Sequence, residues 1–233
     1  MRKIFIGDVH GCYEQLCALL DAVELDREND ELIFLGDYID RGPQSFEVVM
    51  LLKDLKDTME DRCMLLRGTH EEIAEGNDFR FWQENGSLYT IRSFRRNGNG
   101  FQDIKDCMRR LHDATKLMYR SPEVQAVHAC MPGFMTKEAC TDEQPEAWLD
   151  VILWERNVLY DGGYNELITI CGHTPYEDGP MWSHDGVLEK IADGPLPDHG
   201  LIDIDTGCFY SGRLTAMVLE NGQMRFVSAG GKN

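Results

Sequence analysis

The chain has 233 residues, of which 42% are hydrophobic and 27% are charged, a composition typical of a soluble protein with a sizeable core. Its formal net charge is −18, from 23 basic and 41 acidic residues, and this disfavours a nucleic-acid partner because phosphate backbones bind basic patches. Without a signal peptide, a membrane-length apolar run or a CxxC pair, we expect a cytoplasmic protein with reduced cysteines and no membrane partner.

The first third of the chain alternates predicted strands and helices. The predicted strands are KIFI, ELIFLGD and RCMLLRG. Between them, residues 12–23 and the run that begins at Phe46 carry apolar side chains at helical spacing. This alternation predicts an α/β core with adjacent parallel strands.

The rest of the chain combines two insertions with further strands. Residues 71–120 and 133–165 lose the strand pattern and are predicted to be mostly helical or irregular insertions in a single domain over residues 1–233. Two further predicted strands are EVQAVHAC and LITICGH. The C-terminal stretch predicts a hairpin or meander with the Asn-Gly of ENGQ at its turn.

Acidic, basic and imidazole side chains recur directly after the predicted strands. In an open α/β sheet, ligands bind beyond the carboxyl ends of the strands, so we expect these side chains to converge there. They are Asp8, His10, Asp37, Asp40, Arg41, His70, His128 and His173. His199, in the run PDHG, is instead predicted to lie in a plain loop.

Each of these residues also has a purely structural interpretation. Asp8 and Asp37 precede helical patterns and could be helix N-caps. His128 or His173 alone could be a packed core imidazole, and Arg41 alone a surface ion-pair residue. Four histidine-bearing strand-end motifs in one chain favour a shared site over these separate explanations.

The residue types in these motifs suit metal-assisted phosphoester chemistry. Carboxylates and imidazoles together bind manganese, iron or zinc, and a shared Asp holds two ions about 3.5–4 Å apart. Such a pair lowers the pKa of bound water. The planar fork of arginine suits phosphate oxygens, and a histidine oriented by a carboxylate can protonate a leaving group.

Six motifs, in order, resemble the phosphoprotein phosphatase branch of the calcineurin-like metallophosphoesterases, and the small bacterial and phage protein phosphatases most of all. The motifs are GDVHG, GDYIDRGP, RGTHE, VHA, WER and GHTP, and IDTGCFYSGRLTAMVLE is similar to the family's closing strands. The resemblance extends over residues 4–219. It implies an α/β fold built on a β-sandwich flanked by helices, with the metals at the strand ends, in place of a single sheet.

The resemblance also implies two divalent ions, manganese first, with iron or zinc as alternatives. The implied ligands are the carboxylates and imidazoles of the motifs together with one hydroxyl: Asp8, His10, Asp37, Thr69, His128 and His173. The first three would hold one ion and the last three the other, with Asp37 bridging.

The remaining motif residues are implied to handle the phosphoryl group. His70 would be the general acid, oriented by Asp40, while Arg41 and Arg156 would bind phosphoryl oxygens. The implied reaction is direct attack of metal-bound hydroxide on a phosphate monoester, without a phosphoenzyme. One position departs from the family: Thr69 replaces an Asn. Because a Thr hydroxyl is a weaker oxygen ligand than an Asn carbonyl, we expect looser binding of the second ion.

Several functions stay open at this stage. The leading hypothesis is a protein serine/threonine or tyrosine phosphatase, whose partner is a phosphorylated protein or a small phosphoester. The run DRG favours it over the symmetrical dinucleoside tetraphosphate hydrolases, whose corresponding run resembles ARG. A phosphate-binding pseudoenzyme, weakened by Thr69, is the non-enzymatic alternative. A nuclease or cyclic-nucleotide phosphodiesterase is disfavoured by the acidity of the chain and by its paired arginines.

Overall fold

The computed structural model describes residues 1–131, 148–156 and 167–231. Its strands, in chain order, are β1 (Lys3–Ile6), β2 (Glu31–Phe34), β3 (Cys63–Leu65), β4 (Met118–Arg120), β5 (Val124–Val127), β6 (Ile168–Cys171), β7 (Met181–His184), β8 (Val187–Lys190), β9 (Gly194–Pro195), β10 (Leu201–Asp203), β11 (Arg213–Glu220) and β12 (Gln223–Gly230). Its helices are α1 (Tyr13–Ala22), α2 (Ser45–Met59), α3 (Thr69–Glu75), α4 (Phe79–Glu84), α5 (Ser87–Arg96), α6 (Phe101–Ala114), α7 (Leu149–Trp154) and α8 (Cys208–Ser211), with a 3₁₀ turn over Glu60–Arg62.

These strands form two mixed sheets. The first has the order β3-β2-β1-β11-β12-β9, and the second the order β4-β5-β6-β10-β7-β8. In the first sheet β1, β2 and β3 are parallel, and in the second sheet β5, β6 and β10 are parallel. Parallel neighbours end together, so each sheet presents one edge at which several carboxyl ends meet. The loops that follow those ends carry the predicted site residues.

Alternation along the strands builds the core as layers. Ile4 and Ile6 of β1 face α1 and α2, whereas Phe5 between them faces the second sheet. Ile170 of β6 and Ile202 of β10 meet Phe5 in that layer between the sheets. The other face of the second sheet packs against α7. Because the central strands are covered on both faces, their sequences are continuous apolar runs rather than alternating ones.

The sandwich flanked by helices is therefore confirmed as the fold. The helices α3 to α6 occupy most of residues 71–120, but β4 at the end of that range was not predicted. The strands β7, β8 and β9 and the short helix α8 were also absent from the prediction.

Two further predictions concern the insertion over 133–165 and the number of domains. The predicted insertion over 133–165 falls largely outside the described residues, which include only residues 148–156 of it, with α7 among them. The single-domain organisation stays a prediction. Within the described ranges, no helix combines the length and apolar character needed to cross a bilayer.

Candidate metal centre and active site

The loops that follow the strands hold an unusual concentration of left-handed backbone. The residues with positive φ in these loops are His10 (46°), Asp37 (50°), Asp40 (67°), Arg41 (62°) and His173 (71°). This conformation costs an L-residue roughly 1–2 kcal/mol, so such residues persist only where the surrounding structure holds them. The strain turns the chain sharply at the strand end, which brings each of these side chains to the rim of the sandwich.

The Asp37 carboxylate lies at the centre of the predicted site. Its Oδ1 accepts a hydrogen bond from the backbone N–H of His70 at 2.8 Å. The Nε2 atom of His10 lies 3.5 Å from Oδ2, and Nε2 of His128 lies 3.6 Å from Oδ1. The Thr69 hydroxyl is 3.3 Å from both oxygens. The structure thus brings residues from three other strand-end motifs onto the Asp37 carboxylate.

The proton positions on the imidazoles of His10 and His128 follow from the backbone carbonyls that their Nδ1 atoms contact. Nδ1 of His10 lies 3.0 Å from the Ile39 carbonyl, and Nδ1 of His128 lies 2.8 Å from the Leu35 carbonyl. A carbonyl only accepts hydrogen bonds, so both Nδ1 atoms carry the proton and both Nε2 atoms carry a lone pair. These lone pairs face the Asp37 carboxylate, an arrangement that a bound cation stabilises.

His128 and His173 form an imidazole pair that extends the centre on the side of the second sheet. Nδ1 of His173 lies 3.1 Å from Nε2 of His128, and its buried Nε2 has no hydrogen-bond partner in the described part of the chain. Burial, together with the charge of His128, lowers the pKa of His173 to about 3, so its imidazole is neutral.

Two groups of described residues have potential ligand atoms within 4.8 Å of one another, and they share Asp37. One group is His10, Asp37 and His70, and the other is Asp37, His128 and His173. The neutral imidazoles of His10, His128 and His173 around a shared carboxylate are a donor set that fits two divalent ions of the manganese, iron or zinc type.

The structure places Asp8 slightly differently from these clusters. Its carboxylate accepts the backbone N–H of His173, at 3.2 Å from each oxygen, and neither three-residue group includes it. Burial and the charges of Asp205 and Asp37 raise its pKa well above the ordinary value. Asp205, which sequence analysis did not single out, is itself buried, and burial raises its pKa to about 7.

His70 and Asp40 form a buried hydrogen-bonded pair beside the centre. Nδ1 of His70 lies 2.8 Å from Oδ2 of Asp40, and that carboxylate also accepts from Trp82 Nε1 at 2.9 Å and from the Thr90 hydroxyl at 2.6 Å. Burial lowers the pKa of His70, but the charge of Asp37 and the hydrogen bond and charge of Asp40 outweigh burial and raise it. The Nε2 atom is left to face the site as a proton donor.

Both predicted arginines lie against histidines of the candidate metal clusters. Nη1 of Arg41 is 2.9 Å from Nε2 of His10, and its guanidinium lies 5.9 Å from the centre of the Tyr210 ring. Nη1 of Arg156 donates to the His173 carbonyl at 2.9 Å. A cation at His10 would displace the Arg41 guanidinium, since the two would compete for one lone pair and repel each other.

Glu71 is a buried support of the site that sequence analysis missed. Its carboxylate accepts from the backbone N–H groups of Asp37 and Tyr38, each at 2.9 Å, and of Gly68 at 3.1 Å. Burial and the charge of Asp37 raise the pKa of Glu71 to about 8. Its only signal was its place in the motif RGTHE, directly after His70.

Comparison with known proteins gives a family-model match over most of the chain. The family model described as calcineurin-like phosphoesterase matches residues 1–204. A Caenorhabditis elegans protein, provisionally named a serine/threonine-protein phosphatase, is 44% identical over 86 residues, which cover 37% of this chain and 23% of that protein. The match therefore spans about a quarter of that relative.

Two further matches cover nearly the whole chain. The symmetrical bis(5'-nucleosyl)-tetraphosphatase of Cellvibrio japonicus is 25% identical over an alignment of 277 residues. This alignment covers 96% of this chain and 97% of that protein. The structure of a Saccharomyces cerevisiae protein serine/threonine phosphatase has a TM-score of 0.70 and 13% identity, and the match covers 100% of this chain and 81% of that one. At that identity the structural match shows likeness of fold alone.

The approach of Gly68 to Asp37 gives a test of how tightly the centre is built. A Cβ atom at Gly68 would lie 2.2 Å from the Asp37 backbone nitrogen and 2.3 Å from its Oδ1. We expect Gly68→Ala to lower the free energy of unfolding by about 1–3 kcal/mol or more and to displace the carboxylate. Gly194→Ala is the control, because a Cβ there meets nothing within 4 Å and the change should stay within about 0.5 kcal/mol. Urea unfolding of both variants measures this, and equal stabilities would contradict the close packing.

Proposed function

Because the chain belongs to the calcineurin-like phosphoesterase family and is therefore a hydrolase, we propose that it is a metal-dependent phosphomonoesterase that acts on phosphorylated proteins. Phosphoserine and phosphothreonine are the proposed substrates, with phosphotyrosine as a further one, and the cytoplasm is the proposed location. The observation that carries the proposal is the Asp37 carboxylate shared by two clusters of ligands, with the His70–Asp40 pair beside it.

The proposed ions are two divalent cations, manganese first and iron or zinc as alternatives. Their proposed ligands are the six residues of the strand-end motifs: Asp8, His10, Asp37, Thr69, His128 and His173. When bound, such ions lower the pKa of water and offset negative charge on the phosphoryl oxygens. The backbone carbonyls behind His10 and His128 orient these imidazoles for that task.

The chain's own residues supply orientation and a proton. In this proposal Arg41 and Arg156 hold the phosphoryl oxygens through the planar N–H forks of their guanidinium groups. His70 donates the proton on Nε2 to the leaving oxygen, while Asp40 accepts from Nδ1 and keeps the imidazole oriented. Trp82 and Thr90 support this arrangement because they hold the Asp40 carboxylate from two sides.

Hydrolysis of dinucleoside tetraphosphates is the second candidate function. It is favoured by the match to the Cellvibrio japonicus protein over 96% of this chain and by exposed aromatic side chains beside the site. Tyr210 flanks Arg41 and contacts Phe209, and Trp154 lies 6.5 Å from His173 by ring centroids. Such rings can stack on nucleobases, but equally on the phenyl ring of phosphotyrosine.

A direct comparison of substrates separates the two functions. With manganese present, we expect the protein to release phosphate from a phosphoserine peptide, because the arginines suit a terminal dianionic phosphate. Phosphate release from this peptide, from a phosphotyrosine peptide and from diadenosine tetraphosphate should be compared at equal concentrations. Cleavage of the dinucleotide alone would reverse the order of the two proposals.

The role of His70 is tested by His70→Asn. Loss of a general acid should lower kcat by about 10²–10⁴-fold, and the loss should be larger for phosphoserine than for p-nitrophenyl phosphate, whose leaving group needs less protonation. Manganese content should not change. His112→Asn is the matched control, since His112 also contacts a carboxylate, that of Glu72, outside the site. A variant that loses a metal ion would make His70 a ligand, and unchanged activity would remove it from catalysis.

The role of Thr69 is tested by substitutions that change its oxygen. Thr69→Asn should lower the manganese concentration needed for half-maximal activity several-fold, because an amide carbonyl is the better oxygen ligand. Thr69→Val, which has nearly the same shape and no hydroxyl, should raise that concentration. Activity in the Asn variant together with none in the wild type would instead identify a pseudoenzyme, and equal metal dependence in all three would show that position 69 is not a ligand.

A further inference from the structure

A third group of potential metal ligands lies at the opposite end of the second sheet from the catalytic centre. It consists of His184, Asp185 and His199. The strand β10 is parallel to β6, so its carboxyl end lies with that of β6, which leads to His173. The new group lies at the amino end of β10, where β7 ends beside Leu201. The three residues of β10 separate the two ends by about 10 Å.

The ligand atoms of this group converge on one carboxylate oxygen. Oδ2 of Asp185 lies 3.1 Å from Nε2 of His199 and 3.7 Å from Nδ1 of His184. One potential ligand atom of each residue lies within 4.8 Å of the other two. His184 ends β7, Asp185 lies in the β7–β8 turn and His199 lies in the loop before β10, so the fold brings His199 to the other two.

Each imidazole is held from behind by a second carboxylate. Nδ1 of His199 lies 2.7 Å from Oδ1 of Asp198, and Nε2 of His184 lies 3.1 Å from Oε1 of Glu189. Nε2 of His199 is also in hydrogen-bond contact with Asp185, and loss of its proton to solvent would free the lone pair of this inner nitrogen for an ion while the outer nitrogen still donates to Asp198. Carboxylate, histidine and metal in series is the arrangement by which proteins orient histidine ligands.

Trp182 holds both histidines in place. Its ring stacks on His184 with centroids 3.6 Å apart and planes 22° apart, and its Nε1 donates to the His199 carbonyl at 3.1 Å. The side chains remain accessible from solvent, at 18% exposure for His184, 38% for His199 and 69% for Asp185. The geometry is therefore preorganised without being closed to an ion.

We propose that His184, Asp185 and His199 bind a divalent transition metal of the zinc type on the surface of the protein, separate from the catalytic ions. Two imidazoles and one carboxylate form a known zinc donor set, which leaves a fourth position for water or another ligand. A bound ion would join the β7–β8 turn to the loop that precedes β10. The proposed zinc site contains none of the proposed phosphatase residues, so it can be tested independently of that function.

Zinc binding by matched variants tests the proposal. Manganese-loaded protein would be dialysed to equilibrium against zinc, and the zinc bound per chain counted by mass spectrometry. We expect the wild type to bind one zinc more than His199→Asn and Asp185→Asn. The control His112→Asn should bind as much as the wild type. Hydrolysis of p-nitrophenyl phosphate by the manganese-loaded variants should be unchanged.

The outer carboxylate gives a graded version of the same test. Asp198→Asn keeps the three ligands but weakens the orientation of His199, so zinc affinity should fall about 10–100-fold. Equal zinc counts in the wild type and His199→Asn would overturn the proposal and leave His199 as a protonated imidazole between two carboxylates. If His199→Asn misfolds, Asp185→Asn decides the question, because Asn tolerates the left-handed turn at φ 46°.

Discussion

The Asp37 carboxylate is the point on which the geometry of the site depends. Asp37 lies in a left-handed turn that follows β2 of the first sheet, and its backbone N–H donates to the carboxylate of the buried Glu71. Because Gly68 has no side chain, the start of α3 packs directly against it. That contact brings the His70 N–H and the Thr69 hydroxyl to the carboxylate. A shift of this one loop would move ligands from both sheets together.

Electrostatics explains why such a centre suits cations. Burial raises the pKa values of Asp8, Glu71 and Asp205, and the charge of Asp37 raises all three further. In contrast, the pKa of Asp37 is lowered. Burial raises it, but the charges of the surrounding imidazoles, His128 foremost, outweigh burial. Burying several carboxylates costs several kcal/mol per charge unless opposite charge is nearby. Divalent ions would supply that charge, so the cluster of buried carboxylates favours metal binding.

Sequence analysis was most informative where a strand pattern and a polar side chain are adjacent in the sequence. A buried strand followed by glycine and a polar residue is a local pattern, and it led to the motif histidines and their place at the strand ends, whereas the sandwich was implied by the family resemblance. The support of Asp40 could not be read in this way, because Trp82 and Thr90 reach it from 42 and 50 residues away. His199 was predicted to lie in a plain loop, and only the pairing of β7 with β10 brings it beside His184.

Thr69 contacts the Asp37 carboxylate and would therefore affect both ions of the proposed centre. A hydroxyl has one proton to donate, and from 3.3 Å to each Asp37 oxygen it can donate to either of the oxygens that the proposed ions share. An Asn at this position would offer a carbonyl oxygen, which is a better ligand for a divalent ion than a hydroxyl. In the proposed centre Thr69 would therefore weaken the second position twice, by offering the poorer ligand oxygen and by engaging the shared carboxylate. The proposed first position, held by Asp8, His10 and Asp37, would be affected only through Asp37.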